Sequence, residues 1–357
     1  MRRGWQLSVG AATGTSPGAT ALAALTVAAA LATAAAHAAP FAYITNQGSH
    51  DVSVIDLATQ SVVATVPVGR SPAGVVAASQ AGKVFVSNPD SKSISVIDMR
   101  SQKVVATLAA GDGPVGIDAS RDGTRLYAAD WFKDRLLVFD AATNALLATI
   151  PVGKAPAGVA AHADDRNTVF VAERDDDSVA VLDVAGERVR SRVRVGSHPF
   201  ALLHDAPRQR LYALNVQSND VSVIDLRGVG GVPEAGGARG PAGAPEAGTL
   251  RVIKTIPVGK APYGAALADG AALLYVTNQH EDTVSVIDAD TLRVVRTLTG
   301  FAYPEGIASH ADRVYVVNWM DDNVSVRDAR TGAPVAIIST GQNSRGFGAF
   351  IGAPAGP

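Results

Sequence analysis

A single stretch, residues 274–288 (LYVTNQHEDTVSVID), returns in close variants along most of the chain, and that repetition leaves few folds open. Its aromatic column stands at Tyr43, Phe85, Tyr127, Phe170, Tyr212, Tyr275 and Tyr315. Three residues after each comes Asn46, Asn88, Asp130, Glu173, Asn215, Asn278 or Asn318. A closing column is Asp56, Asp98, Asp140, Asp183, Asp225, Asp288 and Asp328. Seven copies about 42 residues apart point to a solenoid or a propeller.

The chemistry of one copy chooses between them. LYVTN and VSVID are short runs rich in Val, Ile and Tyr, parted by a few polar residues, which is the pattern of two antiparallel strands and a hairpin. The closing Asp is suited to open a turn, because its carboxylate accepts backbone amides two residues on. A third run ends in a Gly column (Gly69, Gly111, Gly153, Gly196, Gly259, Gly300, Gly341). A fourth follows a Pro column (Pro72, Pro114, Pro156, Pro199, Pro262, Pro304), with Ser344 in its place at the end. No segment carries the 3.6-residue period of a helix, so each unit reads as one four-stranded propeller blade. The expected fold is all-β: a single seven-bladed β-propeller with four antiparallel strands per blade.

With strands labelled A to D from the post-Pro run, FAYITN at residues 41–46 is already a B strand, and residues 344–351 (SRGFGAFI) form an A strand with no B, C or D after it. This last strand is expected to complete the first blade and leave no long edge open.

Residues 1–38 stand apart from the repeats. Arg2 and Arg3 precede an uncharged Ala- and Leu-rich run and then Ala36-His37-Ala38, a small-x-small pattern, so the segment reads as a secretory signal cut after Ala38. The run is weakly apolar for a membrane anchor, and RRGWQL matches a twin-arginine signal only in part. Residues 39–357 are then the propeller, expected in the periplasm or secreted, with no membrane span. Loss of Arg2 and Arg3 takes the formal charge from -2 to -4, which speaks against nucleic acid as a general partner. The chain has no cysteine, which excludes disulfides, thiolate metal sites and c-type haem attachment. One segment breaks the period: residues 228–248, rich in Gly, Pro and Ala, are expected to be a disordered loop inserted in the fifth blade.

Residues 41–351 resemble the YVTN family of β-propeller repeat proteins. The resemblance rests on LYVTN at 274–278, VSVID at 52–56, 221–225 and 284–288, and TIPVGKAPxG at 149–158 and 255–264. The exported bacterial members, including the YncE-like propellers, are the nearest comparison. The resemblance implies a secreted or periplasmic ring with binding roles, and it brings no catalytic set to transfer.

A candidate site follows from the wiring of a blade, in which the B–C hairpins and D–A connections open on one face. There the sequence stops repeating itself. The residues just after the Pro column are Ala73, Val115, Ala157, Phe200, Tyr263, Glu305 and Arg345, and the hairpins add Trp131, Arg174, His280 and Trp319. His198 precedes Pro199. Ring order gathers Phe200, Tyr263, Glu305, Trp319 and Arg345 into one arc, with Trp131, His198 and His280 nearby. Aromatic walls with one cation suit a small anionic or aromatic ligand, which Arg345 would grip in a two-pronged way; an envelope protein is the other partner considered. Glu305 and Arg345 neutralising one another is the plainer reading of the pair.

Metal and catalytic readings are thinner. His162 and His310 share a repeat position and His204 lies one residue out of step, too far apart in separate blades to share an ion. Asp175, Asp176 and Asp177 read as a solvated turn. No GxSxG, phosphate loop or HExxH is present, and no cofactor is expected. A non-enzymatic, monomeric binding propeller is therefore the leading expectation. The alternative is a lactonase- or lyase-like or quinone-dependent propeller enzyme, for which Glu305, Arg345 and His280 are the one candidate set.

Overall fold

Strands B and C of each repeat are buried almost end to end, as in Leu273–Asn278 and Thr283–Asp288, because both faces of the sheet pack on neighbours. Strand D, such as Arg293–Leu298, lies on the outer rim and is largely exposed. The computed structural model describes residues 40–227, 229 and 250–354. The segment read as an export signal and, apart from Val229, the insertion at 228–248 lie outside the described residues.

The described residues form seven four-stranded antiparallel sheets, the expected propeller blades. The sixth is typical, with A Pro262–Ala268, B Leu273–Asn278, C Thr283–Asp288 and D Arg293–Leu298. Inner strands contact one another from blade to blade in unbroken succession round to the first. The aromatic column packs in the seams, where Tyr43, Phe85, Tyr127, Phe170, Tyr212 and Tyr275 are wholly buried. Near the axis the strands crowd: a Cβ on Gly116 would lie 1.9 Å from the Ala157 carbonyl of the next blade, so the third residue of PxG has to be small. Hydroxyls span the same seams, Thr45 donating to the Ala73 carbonyl (3.0 Å), Ser87 to Val115 (2.7 Å) and Thr277 to Glu305 (2.8 Å).

The Asn column ties each hairpin together. Asn278 Nδ2 donates to Ser285 (2.9 Å) and Thr283 (3.0 Å) on strand C, and its Oδ1 accepts the Gly259 amide (3.1 Å). Where Leu137 or Ala180 replaces that serine, the Asn becomes Asp130 or Glu173 and an arginine supplies the donor, Arg135 at 2.9 Å and Arg192 at 2.8 Å. A second regularity fixes the D–A connections. The residue before the Pro column adopts a positive φ at Ala155, His198, Ala261 and Tyr303, and its amide donates to the hairpin residue Asp134, Asp177, Asn219 or Asp282 of the preceding blade.

Ring closure follows the expected pairing at its two ends. Ile351–Gly352 pairs with Ala42 and Phe41, and Ser344 bridges Asn46. Between them the chain leaves the first blade. The Phe347 and Ala349 carbonyls accept amides of Val75 and Ala77 in the second blade (both 2.8 Å), a detour made by Gly346 and Gly348 at φ 63° and 122°. The uniform A strand expected over 344–351 is therefore two short contacts joined by a bulge that carries Phe347 toward the axis.

Candidate functional site: a funnel above an aromatic septum

Phe347 meets Phe200 and Tyr263 at ring-centroid distances of 4.9 and 5.7 Å, and those two rings lie 4.5 Å apart. The three rings form a septum across the channel. Above it, on the face of the B–C hairpins, opens a funnel of about 390 Å3. Its wall draws on two repeat columns. Residues after the Pro column contribute Phe200, Tyr263, Glu305 and Arg345, and residues after the Asn column contribute Gln47, Trp131, Arg174, Val216, Gln279 and Trp319.

Six of the eight residues singled out from the sequence thus line one cavity: Trp131, Phe200, Tyr263, Glu305, Trp319 and Arg345. His198 and His280 do not. They line an adjoining groove with Lys260 and Gln217, and His280 reaches the funnel only through the Tyr303 hydroxyl, 3.1 Å from its Nε2. The column that turns inward is one residue earlier than His280, at Gln279. Tyr303 was missed although it precedes Pro304 as His198 precedes Pro199; it stacks between Trp319 (5.4 Å) and His280 (5.5 Å). Phe347 was missed as well, and its signal is the extra glycine in SRGFGAFI, which departs from PxGVAA.

Charge in the funnel is arranged around Arg345. Its Nε donates to Glu305 Oε2 (2.7 Å), its Nη2 donates to the Tyr263 hydroxyl, and Gln279 donates to Glu305 Oε1 (2.7 Å). Burial pushes the Glu305 carboxyl up, against the pull of Arg345 and Gln279. Burial opposes the charge on Arg345, but Tyr263 and Glu305 outweigh it and hold the guanidinium above its ordinary value. Burial likewise raises the Tyr263 phenol. The N–H of Nε and one N–H of Nη2 are thus spent inside the protein, and the N–H groups left on Nη1 and Nη2 are the ones a two-pronged grip on a ligand would use. A second cation, Arg174, sits 5.5 Å over the Trp131 ring and bonds Asp175 at 2.5 Å. The plainer reading of Glu305 and Arg345, mutual neutralisation, describes their contact, while the aromatics around them line open space.

At the other end of the channel, His162 and His204 from adjacent blades stack at 4.9 Å, closer than the sequence reading allowed. Among the described residues no three His, Asp or Glu side chains are placed to hold a metal ion.

A profile of the YNCE-like beta-propeller family matches residues 76–167. No curated protein sequence matches the chain. Among solved structures, hydrazine synthase of Kuenenia stuttgartiensis is similar at 19% identity and TM-score 0.66, over 80% of this chain and 91% of that one. A functionally unknown protein from Desulfotomaculum acetoxidans DSM 771 aligns with TM-score 0.73 at 15% identity, over 88% of this chain and 99% of that one. The dihydro-heme d1 dehydrogenase NirN in complex with DHE gives TM-score 0.62 at 14% identity, over 86% and 74%. At such identities these likenesses carry the fold alone. With seven four-stranded blades among the described residues and a YNCE-like match confined to its second to fourth blades, the chain is a seven-bladed β-propeller that is similar, over residues 76–167, to the YNCE-like beta-propeller family.

Proposed function

We propose that the funnel binds a small planar aromatic anion and that the protein is a non-enzymatic binding propeller of the cell envelope. The observation that carries this is the convergence of Trp131, Phe200, Tyr263, Tyr303 and Trp319 with two guanidinium groups on one cavity of about 390 Å3. Stacked rings bind a flat ligand through buried area and offset contact, and the remaining Arg345 N–H groups with Arg174 favour a carboxylate over a neutral end group. Glu305 is held by Arg345 and Gln279, and His280 lines the adjoining groove, which favours binding over the catalytic alternative. The export signature at residues 1–38 supports the envelope location.

The test uses the tryptophans. Only Trp131 and Trp319 remain after residue 38, and both line the funnel, so intrinsic fluorescence reports its occupancy. Titration with 1-naphthoate should give a saturable change, with naphthalene-methanol binding at least tenfold more weakly and Arg345→Ala erasing that preference. Unsaturable signals, or equal affinity for the two probes in the wild-type protein, would sink the reading.

A further inference from the structure

Beneath the septum lies a second chamber, of about 500 Å3, built from the later halves of the inner strands of five blades and roofed by Phe347, Gly348 and Ala349. Most of its wall is Ala, Gly, Leu, Ile and Val. Its one carboxylate is Asp118, at the end of strand Pro114–Ala119 of the third blade. Its two oxygens each accept one backbone amide, from Ala119 and Ala161, both at 2.8 Å. It is half-buried and faces the chamber, and no arginine, lysine or histidine pairs with it among the described residues.

The rest of the polar lining adds no permanent positive charge inside. His162 and His204 stack on one another and on Phe170, at 6.2 and 5.9 Å. Burial, reinforced by His162, pushes the His204 imidazole down to about 4, so it is neutral at physiological pH. Arg121 stands at the exposed mouth and leans 3.7 Å toward Asp164. Burial raises the Asp118 carboxyl to about 6, against its two amide bonds, which leaves it mostly ionised near neutrality. The chamber thus offers one unpaired carboxylate, two aromatic imidazole faces and apolar walls.

We propose that this lower chamber is a second binding site, for small organic ammonium ions, with Asp118 as the counter-ion and the His162–His204 pair as an aromatic wall. A single carboxylate among apolar and aromatic groups matches a cation that carries its own hydrocarbon, where a bare metal ion needs several converging ligands. The proposal is independent of the funnel, because the septum separates the two cavities and their charges are opposite in sign.

Calorimetric titration of the whole protein with benzylammonium, against benzyl alcohol and benzoate, tests it. Saturable binding is expected for the ammonium and not for the alcohol, weakened at least tenfold in Asp118→Asn, while any benzoate binding belongs to the funnel and should be the same in Asp118→Asn as in the wild-type protein. Should that variant fail to fold, NMR of the wild-type protein decides: the His162 and His204 imidazole signals should move with benzylammonium while the Trp131 and Trp319 indole signals stay in place. Absence of saturable binding, undiminished affinity in a folded Asp118→Asn protein, or indole shifts without imidazole shifts would each overturn the proposal.

Discussion

Arg345 does three things from one position: it follows the substituted Pro column, it neutralises Glu305, and it ties the closing segment of the first blade to Tyr263 and Glu305 in the sixth and seventh. Removing one partner of a buried pair leaves the other charge desolvated, which typically costs about 3–5 kcal/mol, whereas removing both charges costs far less. Glu305 is 3% exposed, so Arg345→Met should fall in that range in urea unfolding, and Glu305→Gln combined with Arg345→Met should recover more than half of the loss. Additive losses in the double variant would show that the two side chains do not act as a pair. Arg345 and Glu305 were legible in the sequence because they interrupt a column of small apolar residues. Tyr303 and Gln279 were not, since a side chain's direction at a positive-φ residue or in a four-residue hairpin depends on backbone that a repeat alignment does not display.

At the level of the element, the C–D turns repeat one device. Asp98, Asp140 and Asp288 each accept the backbone amide three residues on, from Ser101, Thr143 or Thr291, and then that residue's hydroxyl. Those bonds hold the three carboxyls below their ordinary value. The unfolded chain then binds more protons than the folded one as pH falls, so the stabilisation is complete above the unfolded carboxylate range, near 4, and fades as pH drops through the lower folded values. Asp288→Asn should lower the urea midpoint at pH 7, and its difference from the wild-type protein should shrink toward zero by about pH 3. A difference that persists unchanged at pH 3 would mean that the turn depends on side-chain shape rather than charge. The bond from an Asp to the amide two residues on was readable in advance because it is local, and it is present at Asp140 and Asp288; the further bonds to the residue three on were not foreseen. The replacement of Asn by Asp130 or Glu173 was visible too, but its cause was not, because the compensating Arg135 and Arg192 sit on other strands.

For the ring as a whole, what counts is how the last segment completes the first blade. Period and phase alone were enough to place an A strand at 344–351, since every other blade has one; the bulge inside it could not be read from the period, because it arises from a two-sided fit. The Phe347 and Ala349 carbonyls pair with the second blade while Ser344 and Ile351–Gly352 pair with the first. Two consequences can be separated. Phe347→Ala removes the septum ring but keeps every closing backbone bond, so it should lower stability by about 3 kcal/mol, toward the small end of large-to-small core losses because space already adjoins the ring, and leave a cooperative monomer. A chain ending at Asn343 instead exposes the Phe41–Asn46 strand along its inner edge and deletes the Arg345 contacts together. An open strand edge pairs with whatever is available, and a repeat ring without its closing contact unfolds blade by blade. The truncated chain should therefore unfold over a broadened transition with a reduced urea dependence, and associate in light scattering as concentration rises. A truncated protein that stayed monomeric with the slope and cooperativity of the whole chain would show that the seams between blades, rather than the closing strand, hold the ring together.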